Sequence, residues 1–448
     1  MATATQPLPA TPDKAYRKVV NAWCLYDWAN SAFFTTITVT IFQAFYINVT
    51  GDSLAPGRAD DYWGFTNSLT MLIIAVLAPI LGAIADHSGA RKRFLAAFAS
   101  VGVIFTATLV LLGSGDWLLA SALYLMARFG YAGANIFYDS LLPHVARPGD
   151  IDRVSTRGYA LGYLGGGLLL VLNVLMIFRL GTMSGARLSF LSVAVWWAVF
   201  TIPLLRRVPE PPVAMGVPER CSPVRAGFRR LRKTFGEIRR YRELLKFLAA
   251  FWLYNDGIGT IMTMALGFAL TLGLPQEALI GAILTIQFTG VPCALAFGWL
   301  ARRLGAKASI LLGLGVYIII CIIAFLADPF TVAHFWVLAV GVGLVQGGTQ
   351  ALSRSLFGAM SPKSKASEFF GFFNMSSKFA AILGPFLYGV IGVLTDSPQW
   401  SLLSIIAFFV IGGLLLMWVN VDAGARVARE EDAALPGDRH RTEMPNQK

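Results

Sequence analysis

Gly82-Ala-Ile-Ala-Asp86-His-Ser-Gly89-Ala-Arg91-Lys-Arg93 is a short charged stretch between two long apolar runs. A weaker copy, Gly298-Trp-Leu-Ala-Arg302-Arg-Leu-Gly305-Ala-Lys307, begins 216 residues later, again between apolar runs. Its paired glycines permit a tight turn. Such a turn, present twice in an apolar chain, indicates a duplicated membrane protein whose two copies move against each other.

Composition agrees. The 448 residues are 56% hydrophobic and 14% charged, with a mean hydropathy of +0.62. A soluble domain carries about 25% charged residues, so lipid must replace much of the watery surface here. The net charge of +12 does not imply a nucleic-acid partner, because Arg and Lys crowd into alternate short loops as orientation signals do. Cys24, Cys221, Cys293 and Cys321 have no metal-ligand spacing, and three lie in or beside apolar runs, where Cys packs as a small hydrophobe. No disulfide, metal site or cofactor is expected. His87, His144, His334 and His440 share no motif and fall at interfaces or in the tail, which argues against an enzyme. The polar first twenty residues predict that no signal peptide is removed.

A bilayer core needs about 20 apolar residues per helix. Runs of that kind lie near 20–48, 64–86, 93–114, 117–142, 156–179, 187–205, 244–272, 277–300, 307–327, 332–355, 367–394 and 398–420, which predicts about twelve transmembrane helices in an all-α membrane protein. The division is a six-helix half over 1–205, a linker over 206–243, a second six-helix half over 244–421 and a disordered tail over 422–448. One set of loops holds Lys14, Arg17, Lys18, Arg91 to Arg93, Arg147, Arg153, Arg157, Arg302, Arg303, Lys307, Lys363 and Lys365, whereas the alternate set is acidic. Positive-inside ordering puts both termini in the cytoplasm. The linker is Pro-rich and then basic, with Phe228, Leu231, Phe235, Ile238 and Tyr241 at helical spacing. It reads either as an amphipathic helix on the inner leaflet or as a solvated linker carrying topology charge.

Further pairs mark the repeat: Ser140-Leu141 with Ser355-Leu356 at an offset of 215, and Tyr26-Asp27 with Tyr254-Asn255-Asp256 at a larger one. Two such halves are the plan of many secondary transporters, which hold substrate between the halves near mid-membrane.

The stretch 82–93 resembles the Gly-x-x-x-Asp-x-x-Gly-x-Arg-x-Arg signature of the major facilitator superfamily. Arg128-Phe-Gly-Tyr-Ala-Gly133 is similar to the fourth-helix Arg motif of proton-coupled members, with Tyr131 and Ala132 where Gln-Gly is usual. Leu25-Tyr26-Asp27-Trp28-Ala29-Asn30-Ser31-Ala32-Phe33 resembles the opening of the vacuolar amino-acid effluxer-like branch, whose founding members act in fungal autophagy. The resemblance implies the major facilitator fold and a permease for amino acids or similarly small solutes. It also implies that the first and seventh helices line a central cavity.

Ionised side chains at the bilayer centre cost about 2.5–3.5 kcal/mol on insertion scales, so each needs a reason. Gly82, Asp86, Gly89, Arg91 and Arg93 read as a latch between halves, or else as a tight turn with topology charge. In the second copy Arg302 replaces the aspartate. Asp27, with Asn30 and Ser31, and Asp256, with Tyr254 and Asn255, read as substrate- or proton-binding residues, or as structural buried aspartates. The fourth and tenth helices add Asn135, Tyr138 and Gln350 as candidate substrate contacts and Arg128, Asp139 and Arg354 as gate residues. Asp139 and Arg354, 215 apart, read as an ion pair closing an inner gate, or as separate interfacial charges. In the eleventh helix Lys378, with Asn374, is placed to meet a substrate carboxylate, to pair with Asp256 or to extend to the interface.

The chain therefore reads as a secondary transporter of a small polar solute, of amino-acid efflux type and working by alternating access. It is expected to be a monomer in a bacterial inner membrane, with lipid and substrate as partners and protons as the candidate coupling ion. The alternatives are a non-transporting nutrient receptor and an exporter of lipids or drugs.

Overall fold

The computed structural model describes residues 13–55, 57–211, 236, 238–271, 276–327, 331–395 and 398–434; side chains at 263–277 and at scattered positions between 377 and 403 are outside that set. Among the described residues the chain is helical and forms no strand. The helices are α1 (Asp13–Ala32), α2 (Arg58–Ser88), α3 (Arg91–Thr108), α4 (Trp117–Val145), α5 (Ile151–Leu180), α6 (Thr182–Arg207), α7 (Arg242–Thr271), α8 (Gln276–Leu304), α9 (Ala306–Leu326), α10 (Val332–Met360), α11 (Ala366–Thr395), α12 (Pro398–Met417) and α13 (Val421–Ala433).

Eight helices among the described residues are long and apolar enough to cross a membrane. The other expected spans, α4, α7, α11 and α12, are helices of 29, 30, 30 and 20 residues. Arg128, Asn135 and Asp139 dilute the apolarity of α4. Outward faces are apolar at helical spacing, as in Phe65, Leu69, Leu72 and Val76 of α2 and Leu168, Leu172 and Leu175 of α5, all exposed. In water such stripes would be a liability; against lipid they are the matching surface.

Buried apolar side chains form two large clusters. One runs from Val20 to Val208 and the other from Tyr241 to Val419. Each half thus has its own core, and the halves meet along a polar seam.

The first span is interrupted. After Ala32 it continues as π-helical turns over Phe33–Val39, breaks at Thr40 (φ −125°, ψ −92°) and resumes over Ile41–Phe45. Thr40 Oγ1 donates to the Thr35 carbonyl at 2.5 Å, occupying a backbone acceptor that the wide turn leaves over.

One end of the molecule gathers the basic loops. Arg147 pairs with Asp13 at 2.9 Å, and Tyr16 donates to Asp150 at 3.1 Å. The 422–448 tail was expected to lack structure, but Val421–Ala433 is helical and follows α12 at a 61° bend. The cause is an amphipathic pattern with a capped start. Asn420 accepts the Ala423 N–H, Gly424 and Ala428 pack inward, and Glu431 binds Lys365 and Arg240, each at 2.7 Å. Asp432 accepts the N–H groups of Lys363 and Ser364 at 2.9 and 3.0 Å. Residues 435–448 and 212–235, including most of the expected basic amphipathic helix, lie outside the described residues.

Candidate functional site: a polar seam closed at one end

The seam is built from the repeat. Gly82 of α2 lies against the Ser367 carbonyl at the start of α11, and Gly298 of α8 lies against Thr156 of α5. Neither position has room for a Cβ. Ser140 of α4 accepts from Ser367 Oγ at 3.0 Å, and its repeat partner Ser355 of α10 donates to Asp152 of α5 at 2.5 Å. The Gly82/Gly298 and Ser140/Ser355 pairs noticed in the sequence are therefore contacts between halves, each crossing to the opposite one.

At the seam's basic-loop end, Gly89 takes φ 61° and ends α2, which leaves Asp86 one turn back and fully buried. Asp86 Oδ1 accepts from Arg91 Nε at 2.7 Å and from the Ser367 N–H at 3.1 Å; Oδ2 accepts the Glu368 N–H at 2.9 Å. The last two are free amides at the start of α11, so a carboxylate from one half caps a helix of the other and meets its positive dipole end. Arg91 also donates to the Lys363 carbonyl at 3.0 Å and touches His144, whose Nε2 lies 3.1 Å from the same carbonyl. Arg93 is exposed and takes no part.

Deeper in the seam, Arg354 crosses from α10 into a cage of the other half. Its Nη2 lies 3.1 Å from Asp27 Oδ2, and its Nη1 lies 3.2 Å from Asp139 Oδ1. Nε donates to Ser155 Oγ at 3.0 Å, and Nη2 also reaches the Ser155 carbonyl at 3.1 Å. Rings of Tyr159, Trp23 and Tyr138 stand 4.4, 4.9 and 5.5 Å from the guanidinium carbon. Tyr138 Oη donates to Asp27 Oδ2 at 2.7 Å, and Trp23 Nε1 donates to the Tyr138 carbonyl at 3.1 Å. A guanidinium suits this place because its planar fork serves two carboxylates while its faces stack on aromatics.

Above the cage two amide bridges face the seam, one per half. Asn30 of α1 donates to Asn135 of α4 at 2.5 Å, and Gln350 of α10 donates to Asn255 of α7 at 2.7 Å. Each joins the first and fourth helices of its half. Ser31 is half-buried beside Gly162.

The remaining candidates lie apart from this line. Tyr254 is buried and hydrogen-bonds Ser353 at 2.7 Å. Asp256 is buried between α7 and α11, where Oδ2 accepts the Gly384 N–H at 2.8 Å and Oδ1 takes no hydrogen bond among the described residues. Asn374 donates to the Phe370 carbonyl at 3.0 Å and adjoins Asp139. The Lys378 side chain lies outside the described set, as does any pairing with Asp256. Arg128 Nη1 donates to Thr38 at 2.6 Å. Sequence reasoning missed Ser155, Tyr159, His144 and Trp23. Of these only Trp23 carried a signal, one turn before Asp27.

A family model described as "Vacuole effluxer Atg22 like" matches residues 59–429. An uncharacterised MFS-type transporter of Bacillus subtilis (strain 168), YxiO, is 36% identical over 427 residues, covering 94% of this chain and 99% of that one. Autophagy-related protein 22 of Saccharomyces cerevisiae is 24% identical over 431 residues, covering 84% and 80%. Among solved structures, the proton:xylose symporter XylE aligns with TM-score 0.71 at 14% identity over 94% of this chain and 99% of that one. The human organic anion transporter MFSD10 aligns with TM-score 0.67 at 15% identity over 92% and 100%. These relatives are transporters, not enzymes, and the solved structures share the fold predicted from the two six-helix halves. The chain belongs to the Atg22-like branch of the major facilitator superfamily, and it is a multi-pass membrane transporter.

Proposed function

We propose that this chain is a secondary transporter that moves a small polar solute, with amino acids first in line, by alternating access. The solute would sit between the inner faces of α1, α4, α7 and α10, beside the two amide bridges. The description of the family as effluxers supports an outward direction. Positive-inside ordering makes the basic-loop end cytoplasmic. On that reading the chain works as a monomer in a bacterial inner membrane and is closed on its inner side.

One observation carries the reading. Arg354 binds two carboxylates of the other half, in the seam between the halves. The charge is carried by the two halves separately, so moving them apart breaks the cage and opens the seam inward. Asp27 and Asp139 would then lose their counter-charge. Asp256, whose Oδ1 takes no hydrogen bond among the described residues, is a candidate proton carrier.

Counterflow in proteoliposomes tests the proposal. Vesicles preloaded with each of the twenty unlabelled amino acids should take up the labelled counterpart of at least one, and Arg354→Gln should abolish that uptake. Absence of exchange for every amino acid would remove amino acids as cargo. Exchange that survives Arg354→Gln unchanged would remove the cage as the inner gate.

A further inference from the structure

Three arginines are buried among the described residues, and two of them hold a carboxylate. Arg91 has Asp86, and Arg354 has Asp27 and Asp139. The third, Arg128, is 7% exposed and has no carboxylate within ion-pairing distance among the described residues. Its Nη1 donates to the neutral Thr38 hydroxyl at 2.6 Å, and its carbon lies 5.9 Å from the Tyr124 ring. Its Nε is buried with no acceptor among the described residues. A guanidinium keeps its proton, and burying an uncompensated charge is costly enough that proteins pair it.

Two further facts point the same way. Thr38 belongs to the π-helical stretch Phe33–Val39, just before the break at Thr40. Interrupted membrane helices expose backbone and side-chain polar groups, and they cluster where transported solutes bind. Moreover, the repeat position of Arg128, 215 residues on, is Gly343, which packs against Thr289 and Ile286. The repeat thus puts no charge opposite Arg128, and this cation belongs to one half alone. Its helix face continues through half-buried Tyr131 to Asn135, two turns or roughly 10 Å further along α4.

We propose that Arg128 is an anion-binding residue of the translocation site and takes the carboxylate of the substrate. This deepens the transporter reading above and rests on it for the location of the site. The carboxylate belongs either to an amino acid or to a simple organic acid, and the two are separated by whether an ammonium group is also required.

The test measures ligand-induced thermal shifts and affinity on the purified full-length protein. The probes are the twenty amino acids, their C-terminal amides, the corresponding deaminated acids, and D-xylose as an uncharged solute. At least one carboxylate-bearing probe should stabilise the wild type while its amide does not. Binding of the deaminated acid as well would identify an organic-acid site; its failure would identify an amino-acid site. In Arg128→Gln the affinity should fall tenfold or more, with Arg128→Lys retaining part of it. The acid-versus-amide comparison uses the wild type alone, so poor folding of a variant leaves the test intact. Equal binding of acid and amide, full affinity in a folded Arg128→Gln, or no binding of any carboxylate-bearing probe overturns the proposal. Carboxylate binding without flux in proteoliposomes would instead sink the transporter reading and leave Arg128 an anion site. Xylose transport indifferent to Arg128 would do the reverse.

Discussion

Gly82 and Gly298, 216 residues apart, occupy matching places in the two halves, and each lies against the opposite half with no room for a methyl group. They differ in what they face. Gly82 meets the backbone of Ser367, and Gly298 meets the Thr156 side chain. Backbone in a helix cannot step aside, whereas a threonine can rotate. Overpacking costs about 1–3 kcal/mol, so Gly82→Ala should push the population toward the inward-open state and Gly298→Ala should do so less. Spin labels at Arg93 and Arg303, in a background with the cysteines replaced by serine, report the separation. Equal effects, or no change in the distance distribution for Gly82→Ala, would contradict the packing argument.

Arg354 has two carboxylates, and they are not equivalent. Asp27 also takes the buried Tyr138 hydroxyl on the Oδ2 that meets Arg354, whereas Asp139 meets Arg354 through Oδ1 and adjoins the half-buried Asn374 amide. Asp139→Asn should therefore cost less thermal stability than Asp27→Asn. Arg354→Gln should cost most, of the order of the 3–5 kcal/mol typical of a buried pair broken on one side. Melting curves of the purified variants rank the three, and any other order would reassign the main partner.

Gly158 tests the cage without altering a charge. A Cβ there would stand 2.5 Å from Asp27 Oδ2, 3.0 Å from the Trp23 ring and 3.1 Å from Arg354 Nη2. Gly158→Ala should thus loosen the ion pair from behind, lower the melting temperature by an amount equivalent to about 1–3 kcal/mol and raise the inward-open fraction seen with the same labels. A wild-type melting curve and distance distribution would mean that the cage does not set the gate.

The amide bridges separate binding from scaffolding. Asn135→Ala leaves the Asn30 amide without its acceptor, and Gln350→Ala does the same to Asn255 from the donor side. Both bridges are partly solvated, so each loss should destabilise by only about 1 kcal/mol. Affinity for the transported solute should fall at least tenfold in one or both. Isothermal titration with that solute decides; large stability losses with unchanged affinity would make the bridges purely structural.

Much of this was legible because membranes impose few rules strongly. Continuous apolar runs gave the helices, loop charge gave the sidedness to be tested, and the offsets near 215 marked residues that meet across the seam. Asp139 and Arg354 were identifiable as a pair because a repeat axis relates them. The share of Arg354 taken by Asp27 was not, since Asp27 reaches it from a different helix and no offset connects them. Asp256 was expected to mirror Asp27, yet Asn255 faces the seam and Asp256 faces α11: one residue along a helix turns a side chain by about 100°. The α13 helix went unseen because its Glu431 and Asp432 gain their value only from Lys365, Arg240 and the 363–364 amides, none of them close in sequence.

The loop at 363–365 is held from two sides, by α13 on one and by Arg91 and His144 on the other. It can travel with only one of them. Since α13 follows directly from α12, the loop stays with the second half, and separation has to run between Lys363 and Arg91 and between Ser367 and Asp86. The chain thus carries a parting line drawn in advance, like the joint of a two-piece mould, with the Asp86 cap and the Arg354 cage on the joint and the Lys365–Glu431 ion pair kept off it.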